Sequence, residues 1–147
     1  MLSVGALSPD GGELAIAEFS NYGKSEVDVF APGVFIYSTT PDSTYEYLSG
    51  TSMASPVVSG VAALIRSRYP DLSAVQVKDI IMKSVRKLPA SVTQPGTFDT
   101  LPSSDLSISG GIVDVVTAMK LASTTKGKAK KKNRVAESDY VPVVGKT

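Results

Sequence analysis

Hydrophobic positions along the chain change period near residue 50. Before it, the apolar blocks are short and broken by Pro and Gly. Leu2–Ala6 reads as a strand running into a turn at Pro9-Asp10-Gly11-Gly12. The stretch "VDVFAPGVFIYST" alternates and is rich in β-branched and aromatic side chains. It predicts strands at Val27–Phe30 and Val34–Ser38, with Pro32-Gly33 as a break between them. Thr44–Gly50 is a shorter extended segment. Beyond it, "SPVVSGVAALIRSRYP" is apolar on nearly every side as far as Arg66, the pattern of a helix enclosed by other layers. Pro56 suits the first turn of such a helix, where its missing N–H costs nothing. Gly60 is costly inside a helix unless something packs against the backbone.

A second helix is expected over Ser73–Arg86. Val77, Ile80, Ile81 and Val85 fall on one stripe, and Ser73 with Gln76 forms an S-x-x-Q capping box. Residues 88–109 are rich in Pro, Ser and Thr and read as loop. Gly110–Ala122 reads as a turn into a third helix with Asp114 at its N-cap. Strands followed by a buried helix and a surface helix predict a layered α/β domain. The strand count is low for a complete one, and a chain that opens inside a buried strand leads us to expect residues upstream.

Composition narrows the chemistry. The 147 residues suit one ordinary domain. There is no cysteine, which excludes disulfides and thiolate metal sites. There is no histidine either, so zinc would have to rely on carboxylates, and we assign no metal. No window is apolar over about 18 residues, which gives no membrane span. The first residues lack the basic start and long apolar run of a signal peptide. The net charge of +1 hides an asymmetry. Residues 1–125 carry 8 basic and 12 acidic side chains, whereas residues 126–147 carry 7 and 2. The run "KGKAKKKNR", Lys126–Arg134, repels itself and has no apolar face. We therefore divide the chain into a folded part, 1–123, and a basic, disordered tail, 124–147. The tail has no interleaved aromatics and implies no specific nucleic-acid partner.

The candidate chemistry lies in Gly50-Thr51-Ser52-Met53-Ala54-Ser55-Pro56. A serine hydroxyl needs an adjacent base and a place for the oxyanion. The mouth of a helix supplies unpaired N–H groups and the positive end of the dipole. Spacing alone leaves two roles open for Ser52 or Ser55: nucleophile, or N-cap of a core helix. Tyr45 and Tyr47 read as a strand packing one face rather than as a cleft wall. Asp42 and Glu46 read as solvated loop residues, with no calcium-loop pattern around them.

The motif "GTSMASP" resembles the active-serine signature of the subtilases, the subtilisin-like serine peptidases. "SVGAL", "FSNYG", "VDVFAPGV", "IYSTTPDSTYEYLSGTSMASP" and the late "GGIVDVVTA" follow that family's order, so the likeness covers about residues 2–122. It implies the three-layer α/β subtilisin-like fold with a mainly parallel sheet, here incomplete: the C-terminal part of the catalytic domain, its N-terminal part absent. It implies a serine endopeptidase acting on polypeptide, with Ser52 as nucleophile. The Ser52 N–H would be one arm of the oxyanion hole, Thr51 would support it, and Gly50 would leave room for substrate. It also implies secretion or a cell-envelope location, and a full-length fold in which calcium is common but not assignable here.

Where many members have Pro-His-Val, this chain has Pro56-Val57-Val58. That position is outside the triad. The family's Asp, His and oxyanion Asn all lie farther upstream of the serine than the residues available here. The resemblance therefore implies a chain that is inactive alone and needs the missing N-terminal part of the domain as partner. The rival expectation is a non-catalytic remnant or interaction module. The unpaired strands at the start also predict an open, aggregation-prone sheet edge.

Overall fold

The computed structural model describes residues 1–8 and 16–127. The turn expected at Pro9–Gly12 and the tail from Lys128 onward lie outside those residues. In chain order the elements are β1 (Val4–Leu7), β2 (Val29–Pro32), β3 (Ile36–Thr40), β4 (Thr44–Leu48), α1 (Thr51–Arg68), α2 (Ala74–Lys83), β5 (Arg86–Lys87), β6 (Ser91–Thr93), β7 (Thr100–Pro102), β8 (Gly111–Ile112) and α3 (Val115–Thr124). The main sheet runs β1-β2-β8-β5, with β1, β2 and β8 parallel and β5 antiparallel to β8. The architecture is thus mixed α/β with a partly parallel sheet and three helices.

Period-2 alternation in β2 divides the core. Val29 and Ala31 face one side, where they join Ala6, Ala54, Val58, Ile65, Val77, Ile81 and Ala118 from β1 and the helices. Phe30 faces the other side and packs with Val27, Leu88, Val92 and Leu106. Its ring lies against Gly5, the residue opposite it in β1, where any side chain would collide. Helices therefore cover one face of the sheet, and the segment 88–109 covers the other. That segment is not featureless loop. It folds as the short β6–β7 hairpin and a 3-10 turn at Ser103–Asp105.

Three other expectations change. The helix expected to be buried all round has one buried stripe, Ala54, Val58, Val61 and Ile65. Leu64 is 47% exposed, and a Cβ placed on Gly60 would meet nothing within 4 Å. The apolar pattern is complete, but the described residues supply a layer on one side only. The second helix stops at Lys83 rather than Arg86, because Arg86 and Lys87 pair with β8. Gly111 makes that approach possible, since a Cβ there would lie 2.8 Å from the Arg86 carbonyl oxygen. The edge of β1 is partly closed by the chain itself. The Ala6 N–H donates to Ser20 Oγ (2.8 Å) and the Ala6 carbonyl accepts from the Ala17 N–H (2.9 Å).

The helix caps follow from sequence. Ser73 and Gln76 bond each other's backbone N–H groups at 3.2 and 3.0 Å, a reciprocal capping box. Asp114 caps α3 by accepting from the Thr117 N–H at 2.9 Å. That bond holds the Asp114 carboxyl below its ordinary pKa. A buried carboxylate, Asp28, ties three segments together. It accepts from the Ser3 N–H (2.8 Å) and pairs with Lys78 Nζ of α2 (3.0 Å), and Lys78 also donates to the Met1 carbonyl.

Replacing Asp28 with Ala leaves the Ser3 N–H unpaired and takes the counter-ion from Lys78, so it should cost about 1–3 kcal/mol. A lower urea midpoint with an unchanged slope is the expected result; an unchanged midpoint would show that the pair contributes nothing. For Asp114, the folded-state pKa is depressed. Its stabilisation is therefore present above the unfolded aspartate value, about 3.9, and is lost as pH falls through the lower folded value. An NMR titration of its carboxyl carbon should show a midpoint below that of ordinary aspartate.

Candidate active site

Helix α1 begins where the parallel strands end. The Gly33 N–H bonds the Leu7 carbonyl (3.3 Å) at the carboxyl ends of β1 and β2. The Gly50 N–H then bonds the Gly33 carbonyl at 2.7 Å. Gly33 is closely packed. A Cβ there would lie 2.7 Å from Ala6 Cβ, 2.8 Å from the Gly50 carbonyl oxygen and 3.2 Å from Ala54 Cβ. The start of α1 is thus seated directly on the sheet.

The β3–β4 hairpin delivers the chain to this point. Its turn places Asp42 and Ser43 at φ 63° and 60°, the left-handed region that Asp tolerates better than most residues. Asp42 is therefore a turn residue. Among the described residues, no group of three or more acidic side chains gathers to hold a metal. At the hairpin's other end Phe35 has φ 52°, a strained value for a bulky residue, and its N–H donates to Ser49 Oγ at 3.0 Å. Tyr45 and Tyr47 share a face with Tyr37, with ring centroids 5.7 and 4.7 Å from it. The expectation of one packed face is met, but that face is open to solvent.

Gly50 is the N-cap and makes no side-chain cap, so α1 starts at Thr51, four residues before Ser55. The Gly50 carbonyl accepts from the Met53 and Ala54 N–H groups at 3.0 and 3.2 Å. The N–H groups of Thr51 and Ser52 lie before those bonds and have no acceptor on the described chain, as the first turn of a helix dictates. Ser52 is exposed, and its Oγ makes no hydrogen bond to a described residue. A Cβ on Gly50 would meet nothing nearer than Met53 Sδ at 3.5 Å, so the space beside Ser52 is open.

Pro56 is a correction. It is the sixth residue of α1, not part of the first turn. Lacking an N–H, it cannot bond the carbonyl four residues back, and that carbonyl belongs to Ser52. Both backbone polar groups of Ser52 are therefore outside the regular helical ladder. The structure brings Gly50, Thr51 and Ser52 together at one helix mouth. It adds Gly33, which the sequence marked only as a break. An apolar cleft of about 480 Å³, lined by Ile16, Phe19, Val34 and Phe98 among others, begins one residue beyond Gly33.

A family model for the subtilase family of peptidases matches residues 1–132. Subtilisin DY from Bacillus licheniformis is 48% identical over 88 residues, covering 60% of this chain and 31% of that protein. Subtilisin-like protease 1 from Plasmodium vivax is 38% identical over 107 residues, covering 73% of this chain and 15% of that protein. Among solved structures, a chain from the subtilase cytotoxin SubAB assembly superposes with a TM-score of 0.65 at 28% identity. The match covers 82% of this chain and 36% of that one. The self-cleaved protease domain of PatA gives a TM-score of 0.59 at 30% identity, covering 83% of this chain and 41% of that one. The chain spans less than a third of the length of the two curated relatives named.

Gly33→Ala should push the sheet and the helix start apart, with a cost of about 1–3 kcal/mol typical of overpacking. Amide shifts at Gly50–Met53 should move with it. Loss of stability with those amides unmoved would separate the packing at Gly33 from the geometry of the serine.

Proposed function

This chain belongs to the subtilase family of serine peptidases, and on that premise we propose that Ser52 is the acyl-forming nucleophile of a polypeptide-cleaving site. The observation that carries the reading is an exposed serine in the first turn of a long helix, its own N–H without an acceptor among the described residues. In this reading Ser52 Oγ attacks the carbonyl carbon of a peptide bond and its proton passes to an imidazole. The developing oxyanion is met by the Ser52 N–H, with Thr51 supporting that hole. Collapse expels the amine, which takes the proton, and water then hydrolyses the acyl-enzyme. Gly50 leaves room for the substrate backbone, and the neighbouring apolar cleft suits a substrate side chain.

No imidazole exists in residues 1–147. The base, its aspartate and the second oxyanion donor are therefore assigned to further polypeptide that packs against this chain. The open side of α1, with Gly60 and Leu64 on it, supports such a partner. In subtilisin, a member of this family, loss of the triad histidine costs on the order of 10⁶ in kcat, a figure that comes from that relative. By the same logic residues 1–147 alone are inactive. Secretion remains part of the proposal. Among the described residues no helix is long and apolar enough to cross a membrane.

A second reading is favoured by the Ser52 hydroxyl's lack of a partner among the described residues: a non-catalytic remnant or interaction module that keeps the serine helix without the chemistry. Mixing the chain with the histidine-bearing portion of a subtilase domain and adding a fluorophosphonate probe separates the two. Covalent labelling that disappears in Ser52→Ala is the expected outcome. A folded complex that stays unlabelled would favour the remnant.

A further inference from the structure

On the face of the sheet covered by residues 88–109, a second cleft of about 510 Å³ is lined by Lys24, Lys87, Ser103, Ser104, Ser107 and Ser109. Its two charged side chains are cations, and its other polar side chains are hydroxyls that can donate. Lys87 Nζ donates one hydrogen to the Ser109 carbonyl at 2.7 Å, which fixes the ammonium at the cleft and leaves its other two hydrogens without an acceptor among the described residues. Lys24 Nζ spends one hydrogen on Asp105 at 3.2 Å, an exposed pair of low strength. Ser107 Oγ already accepts from the Gly110 N–H at 3.0 Å, so its own hydrogen is free to be given. The hydroxyls of Ser103 and Ser104 bond no described residue.

Ser109 supplies an independent observation. It is 7% exposed, and its Oγ is buried with no hydrogen-bond partner among the described residues. A buried hydroxyl left unpaired is rare and calls for an explanation. The Ser109 hydroxyl can give its hydrogen to an acceptor, and the cleft that Ser109 lines also carries the Lys24 and Lys87 ammonium groups and three further hydroxyls able to donate to the same acceptor. Asp105 is the only anion among the groups named, and it faces one lysine alone. A ligand that is all acceptor and negatively charged answers both needs at once.

We propose that this cleft binds a tetrahedral oxyanion, phosphate either free or as a phosphomonoester. Lys87 and Lys24 act as point charges beside it, and the serine hydroxyls donate to its oxygens. The site lies on the opposite side of the sheet from the helices and does not depend on the role of Ser52.

The test is a titration of the full 147-residue chain with inorganic phosphate at low ionic strength, followed by amide NMR. Saturable shifts confined to residues around Lys24, Lys87 and Ser103–Gly110 are expected, weakening as salt screens the charges. Lys87→Gln should weaken binding about tenfold, the effect of one charge-assisted hydrogen bond. Asp105→Asn should tighten it by about two- to fivefold by freeing Lys24, a gain that unfolding cannot mimic. Free phosphoserine binding more tightly than phosphate would identify an ester as the source; the reverse order would identify the free ion. Shifts confined to the Lys-rich tail, or binding indifferent to both substitutions, would overturn the proposal.

Discussion

The short hydrogen bond from Gly50 to the Gly33 carbonyl decides where the longest helix begins, and much of the molecule is arranged around it. It can form only because Gly33 has no side chain and because Ala6 and Ala54 are small. Those three residues let a helix mouth sit on the carboxyl end of two parallel strands, where open α/β sheets gather their ligands. The orphan N–H groups of Thr51 and Ser52 follow from this placement, because a helix that starts at Gly50 has no earlier turn to supply acceptors.

Much of this was legible in the sequence, for reasons that differ from one element to the next. The capping box at Ser73–Gln76 and the cap at Asp114 are local, three residues wide, and the chain declares them. Ser52 stood out as a candidate because its neighbours form a specific motif. The start of α1 was not, because Pro56 reads locally as a first-turn residue. A bond to Gly33, 17 residues away in sequence, draws the helix back to Thr51 instead. The strands β5, β6, β7 and β8 are two or three residues long. Their pairing partners, and not their composition, make them strands. Nothing local in the sequence marks Asp28, because its partner Lys78 lies 50 positions later.

The sheet also separates two kinds of polar environment. On the helix side, polar groups near the serine are left open by the geometry of a helix end. On the hairpin side, Lys87 and the serines of 103–109 are gathered by backbone turns, with Gly110 at φ 58° allowing the chain to reverse there. Neither environment is visible as a run of charge in the sequence. The one conspicuous charge run, in the tail, is remote from both along the chain.

The tyrosine face of the β3–β4 hairpin has an optical consequence. Half of the chain's 6 tyrosines, Tyr37, Tyr45 and Tyr47, stand in ring contact there, and there is no tryptophan to obscure them. Their transitions should couple, so near-ultraviolet circular dichroism reports on this one ribbon more than on any other part of the protein. Because the ribbon ends at Ser49 and Gly50, the unlabelled chain carries its own gauge of whatever settles beside the helix mouth.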